Sequence, residues 1–183
     1  EVKSVSNEVT YAHDLETRED IEAALSTIAA KVGRRLRRKG LKGRTVAVKM
    51  RYDNRTTRSA QCALAVPTDD DIAFAPVVHR LARELWAPGM KVRLLGVAVT
   101  HFEEDGAPVQ EALFDAAVLG GDDNADAVES EALIRDEEKR RSLLAATDAL
   151  QERFGDGTVR FGFELRQSGN TTGSSSKNVE DYK

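Results

Sequence analysis

The amino-acid sequence predicts an α+β fold: a four-stranded sheet in the order βαββαβ, with two helices over one face and the other face open. Three observations carry the prediction. Several segments alternate apolar and polar residues with period two, two helix-period stripes separate them, and the composition changes character after residue 104.

The first strand is Ser4 to Tyr11, with Val5, Val9 and Tyr11 on one face and Ser4, Ser6, Glu8 and Thr10 on the other. Thr17, with Asp20 three residues on, then caps a helix whose apolar stripe is Ile21, Leu25, Ile28, Val32 and Leu36, and Gly40 stops it. Its last turns carry Arg34, Arg35, Arg37, Arg38 and Lys39, cations that also suit the helix dipole. Arg44 to Tyr52 alternates again, with Val46, Val48, Met50 and Tyr52 inward and Thr45, Ala47, Lys49 and Arg51 outward. Asp53 to Arg55 is a turn, and Thr56 to Leu64 is the returning arm of a hairpin. A second helix follows Pro67-Thr68-Asp69-Asp70-Asp71, with Phe74, Val78, Leu81 and Leu85 on one stripe and Pro76 expected in its first turn, where a missing N–H costs little. Ala87-Pro88-Gly89 ends it. Val92 to Phe102 is the last strand, and Leu94-Leu95-Gly96 breaks its alternation as a bulge does.

With 183 residues and 40% apolar content, the chain can bury one ordinary core and carry an appendage. One cysteine, Cys62, excludes an internal disulfide and suits a reducing, cytoplasmic setting. No apolar run approaches the ~20 residues that a membrane span needs. The chain starts at Glu1 without a methionine, so a piece of a longer protein is expected.

The net charge of −4 hides a division. Residues 1–104 hold 18 Lys/Arg against 14 Asp/Glu, and residues 105–183 hold 9 against 17. From Lys31 to Arg58 there are 12 basic residues and one acid, Asp53, a run that repels itself unless its partner is a polyanion. Lys49 and Arg51 project from the open face, Arg55 and Arg58 flank the hairpin turn, and Ser4, Ser6, Thr45, Thr57 and Ser59 add short hydroxyls. Small polar residues admit a phosphate backbone, and Lys and Arg neutralise it. The plainer reading, a solvated sheet face, accounts less well for a basic run that spans a helix end, a strand and a hairpin. Base stacking is not expected, because Tyr52 points inward and the returning arm has no aromatic residue.

"KSVSNEVTY", "TVAVKMRY", "TTRS", "PTDD" and "VRLLGVAVTHF", in this order, resemble the little-finger domain of Y-family DNA polymerases of the bacterial polymerase IV type, ferredoxin-like in style, over residues 3–104. The segment Thr56–Leu64 departs from that family, which carries more basic residues there. The resemblance implies a domain that lies along the duplex and grips its backbones, with Lys3 joining Ser4, Ser6, Lys49, Arg51, Arg55, Thr57, Arg58 and Ser59 as DNA-contacting residues. It also implies a parent enzyme for translesion synthesis, a DNA-directed nucleotidyltransferase using Mg2+ held by palm carboxylates outside this chain. The fragment itself is expected to be inactive, without a cofactor or catalytic residue of its own.

No metal site is expected either. His13, His79 and His101 are scattered without Cys or carboxylate at ligand spacing, and Asp69-Asp70-Asp71 fits the first turn of a helix.

Residues 105–132 read as an acidic linker, 133–166 as a charged helical tail with Leu143, Leu150 and Phe154 on one stripe, and 167–183 as a disordered terminus. Within the linker, Gln110, Leu113 and Phe114 resemble the Gln-x-x-Leu-Phe peptide by which bacterial polymerases dock on the ring-shaped sliding clamp. The expected partners are thus duplex or primer-template DNA and the clamp, with the fragment a monomer. The alternative is a stand-alone RNA- or ribosome-binding adaptor with the same βαββαβ fold.

Overall fold

The computed structural model describes residues 2–102, 125–155, 158–159 and 171–175. The chain divides into two units, one formed by Glu1–Glu103 with Arg160–Lys183 and the other by Glu104–Val159.

The first unit follows the predicted order, with strands β1 (Ser4–Leu15), β2 (Gly43–Tyr52), β3 (Thr57–Thr68) and β4 (Val92–Phe102) and helices α1 (Arg18–Lys39) and α2 (Asp71–Leu85). Helix α1 begins at the cap read from the sequence, where the Thr17 side chain accepts the Asp20 N–H at 3.2 Å. It ends at Gly40, whose φ of 64° is the left-handed conformation that a residue without a Cβ adopts at least cost. Helix α2 starts differently from the expectation. Asp70 caps it by accepting from the N–H groups of Ile72 and Ala73, so Pro76 lies beyond the first turn. Pro76 is exposed, and water can serve the carbonyl that its missing N–H leaves.

One sheet face is closed by the helices. Val5, Val9 and Tyr11 of β1, Val46, Val48, Met50 and Tyr52 of β2, and Val92, Leu95, Val97 and Val99 of β4 form one core with Leu25, Ile28, Val32, Phe74 and Val78. The two helices are locked to each other by a mostly buried ion pair, Arg37 Nη1 to Asp71 Oδ1 at 2.6 Å, and Arg37 also donates to the Asp69 carbonyl. Burial pushes the Asp71 carboxyl above the ordinary range, and the Arg37 hydrogen bond and charge pull it back. Gly33 makes this contact possible, since a Cβ there would sit 2.5 Å from Asp71 Oδ1.

The four expected strands form the sheet in the order β3-β2-β4-β1, and a short fifth strand extends it beyond β1. The fifth, β5 (Thr171–Ser175), pairs antiparallel with β1 along Glu8 to Tyr11. The expectation of disorder across 167–183 therefore fails for these five residues. A composition rule judges side chains, whereas an open strand edge recruits backbone N–H and C=O groups whatever the side chains are. The bulge also sits earlier than expected: against β2 the register breaks between Val92 and Leu94, with Arg93 as the extra residue, whereas against β1 the extra residues lie on β1, between Thr10 and Leu15.

In the second unit, helix α3 runs from Ala125 to Phe154, so residues 125–132 are helical rather than linker. Alanine and glutamate there are strong helix formers, and the acidic character that suggested a linker also suits a helix N-terminus. Leu144 is buried on α3, while Leu143, Leu150 and Phe154, the expected stripe, are exposed.

Candidate nucleic-acid interface

Backbone pairing places the candidate residues in rows across the face that the helices leave open. Thr57, Arg51, Leu94 and Thr10 form one row, and Ser59, Lys49, Gly96 and Glu8 the next. Gln61, Ala47, Ala98 and Ser6 follow, then Ala63, Thr45, Thr100 and Ser4. The structure thus brings Ser4, Ser6, Lys49, Arg51, Thr57 and Ser59 onto one surface, as the alternation implied. Lys3 is exposed just ahead of β1.

Arg58 does not join them. It pairs with Met50, a core residue, so it lies on the helix side of the sheet, where its charge lowers the Tyr52 pKa that burial raises. The signal was present in the sequence: pairing Arg51 with Thr57 across the turn puts the next residue on the opposite face.

Arg55 holds the hairpin turn. Its N–H donates to the Tyr52 carbonyl at 3.0 Å, and its φ of 66° is left-handed, a costly conformation for a residue with a Cβ. Arg51, Tyr52, Asp53, Arg55 and Arg93 line a notch at this end of the sheet. Arg93 is tied to Asp14, and Arg51 Nε donates to Thr57 Oγ1 at 3.3 Å.

Two features were not legible in advance. Lys49 is held by Glu8, its Nζ 3.0 and 3.3 Å from the two carboxylate oxygens. The basic run on α1 is also partly structural, for Arg37 binds Asp71 and Arg35 donates to the Ser6 carbonyl at 3.0 Å. Among the described residues no group of three or more His, Cys, Asp or Glu gathers as metal ligands would. His79 instead meets Ser26 at 2.8 Å between the two helices, and Cys62 receives a contact from Arg80 at 3.0 Å. No described helix is long and apolar enough to cross a membrane. Gln110, Leu113 and Phe114 lie outside the described residues.

The fold and this surface define an α+β domain with two helices on one sheet face and a hydroxyl-rich, cation-bearing face left open. By its sequence the chain belongs to the impB/mucB/samB family: residues 2–113 match that family's C-terminal domain. Similar proteins include the DNA polymerase IV of Acetivibrio thermocellus, 30% identical over 168 residues, 92% of this chain and 38% of the relative. That of Caulobacter vibrioides is 32% identical over 169 residues, 90% of this chain and 36% of the relative. That of Lactococcus lactis is 40% identical over 103 residues, 56% of this chain and 28% of the relative. The chain spans between 28% and 38% of the length of these relatives. Among solved structures, a complex of a beta-clamp processivity factor and the little finger domain of PolIV is similar at 24% identity and a TM-score of 0.46, covering 55% of this chain and 90% of that one.

Proposed function

We propose that this chain is the DNA-gripping and sliding-clamp-docking part of a translesion DNA polymerase. The observation that carries the proposal is the open face: Lys49 and Arg51 stand with Ser4, Ser6, Thr57 and Ser59 on the side of the sheet opposite α1 and α2. Family membership supplies the context. A duplex backbone laid on this face meets Lys and Arg for charge and hydroxyls as donors to phosphate oxygens, while Ala47, Gly96 and Ala98 leave room for close approach. Such contacts are indifferent to base sequence, as suits a polymerase that must hold any template.

Nucleotidyl transfer and the Mg2+ it uses belong, in this proposal, to the rest of the parent protein. Gln110, Leu113 and Phe114 would tether that enzyme to the clamp, glutamine by hydrogen bonds and the apolar pair by filling a pocket. A stand-alone RNA adaptor is less well supported, because Tyr11 and Tyr52 are both buried in the core, away from a face on which bases would stack.

The test is a titration of the chain onto primer-template DNA followed by fluorescence anisotropy. Weak binding with little base preference is expected, its logarithm falling with log salt at a slope of roughly −3 to −4 if Lys3, Lys49, Arg51 and Arg55 each neutralise a phosphate. Reversing Lys49→Glu together with Arg51→Glu removes most of it. Unchanged affinity and slope in that double variant would show that DNA lies elsewhere.

A further inference from the structure

We infer that Glu8 is a built-in competitor for phosphate, which occupies Lys49 when DNA is absent and limits how tightly the open face holds a backbone. The inference rests on the proposed DNA-binding role of that face. Among the described rows Ser4 to Thr10 and their cross-strand partners, Glu8 is the one acid and Lys49 and Arg51 are the two cations. Its carboxylate takes Lys49 with both oxygens, at 3.0 and 3.3 Å, in the geometry a phosphate would use.

The bridge crosses a strand. Glu8 and Lys49 each pair with Gly96, one from either side, so their side chains reach over a residue that has none. A Cβ on Gly96 would lie 2.9 Å from Glu8 Cγ. Both partners remain partly exposed, Lys49 at 39% and Glu8 at 26%, so an incoming phosphate can reach the ammonium and displace the carboxylate. An exposed pair of this kind is weak enough to be exchanged rather than broken at great cost. The consequence is a face that engages DNA through Arg51 and the hydroxyls first and through Lys49 only in exchange for Glu8. Its hold is therefore shallow, as a domain that must move along the duplex requires.

The full 183-residue chain is titrated with a primer-template duplex at several salt concentrations, as wild type, Glu8→Gln, Glu8→Ser, Lys49→Ala and Glu8→Gln/Lys49→Ala. Glu8→Ser covers the chance that a glutamine amide still accepts from Lys49, and thermal melts confirm that each variant folds. The expected result is about two- to fivefold tighter binding on neutralising Glu8, with a salt slope steeper by up to about one, and no gain in the Lys49→Ala background. A gain that persists without Lys49 overturns the inference, since Glu8 would then act by general repulsion. So does unchanged binding in both Glu8 variants while Lys49→Ala weakens it, an outcome that leaves the open face as the DNA face. If none of the variants alters binding, the inference falls together with the assignment of that face.

Discussion

Glu8 and Lys49 stand on strands that are not neighbours, β1 and β2, and their side chains meet over Gly96 of β4. The bridge therefore depends on a gap in a third strand. Gly96→Ala should loosen it, because the added Cβ lies 2.9 Å from Glu8 Cγ, at a point where a flexible side chain gives way. A double-mutant cycle on Glu8 and Lys49 by urea denaturation should give a coupling of about 0.5 kcal/mol in the native background and close to none in the Gly96→Ala background. Undiminished coupling once the Cβ is present would mean that the bridge does not need the gap.

Arg55 is held at a left-handed φ of 66° in the hairpin turn, beside the notch that Arg51 and Arg93 also line. Glycine adopts that conformation without penalty, so Arg55→Gly should raise stability by about 0.5–1 kcal/mol or leave it unchanged, while DNA affinity falls and the salt slope flattens by about one. A variant that is more stable and binds DNA as before would show that the turn strain serves no binding role.

The ion pair between Arg37 and Asp71 is largely enclosed, with side chains 17% and 8% exposed. Asp71→Ala leaves the guanidinium without its carboxylate between α1 and α2, and should cost about 3 kcal/mol in a urea melt. Gly33→Ala should cost about 1–3 kcal/mol by overpacking the same contact, where its Cβ would lie 2.5 Å from Asp71 Oδ1. Losses below about 0.5 kcal/mol in both would show that the helices are held by the apolar stripe alone.

Much of this architecture was legible because local signals agreed with the tertiary outcome. Thr17 and Gly40 bound α1 as their chemistry demands, and the alternation in Arg44 to Tyr52 sorted Lys49 and Arg51 to the open face. What stayed hidden depends on neighbours distant in sequence. The Glu8 to Lys49 bridge requires the order β2-β4-β1, which no periodicity fixes. Arg35 and Arg37 looked like polyanion ligands because a charge run shows no partners, yet Ser6 and Asp71 take them from other elements. Strand β5 escaped notice because its pairing is made by backbone groups.

His79 should make folding sensitive to mild acid. Burial between the helices lowers its pKa, opposed by Glu22 and assisted by Arg83 and Arg18, and its ring meets Ser26 at 2.8 Å. A folded pKa below the ordinary 6.5 means that the unfolded chain takes up the proton first. Stability from this group is therefore fully present above about 6.5 and falls as the pH drops through the folded value. His79→Gln should flatten the change in melting temperature between pH 7 and pH 5. An unaltered pH profile would assign that sensitivity to other groups.

The docking peptide and the sheet should be separable. If Gln110, Leu113 and Phe114 form a clamp tether, Leu113→Ala with Phe114→Ala removes apolar anchors that a pocket on the ring would enclose, and takes nothing from the core that Val5, Val48, Phe74 and Leu95 build. Binding to a bacterial sliding clamp should fall from a micromolar dissociation constant, roughly 0.1–10 μM, to beyond detection in a calorimetric titration. DNA affinity and melting temperature should stay nearly as they were. Replacing Gln110 with alanine should weaken docking less than removing the apolar pair, because an exposed hydrogen bond exchanges with water whereas a buried aromatic ring does not. A double variant that melts much lower and still binds the ring would place Leu113 and Phe114 in the fold, and the tether would have to be sought in another part of the chain.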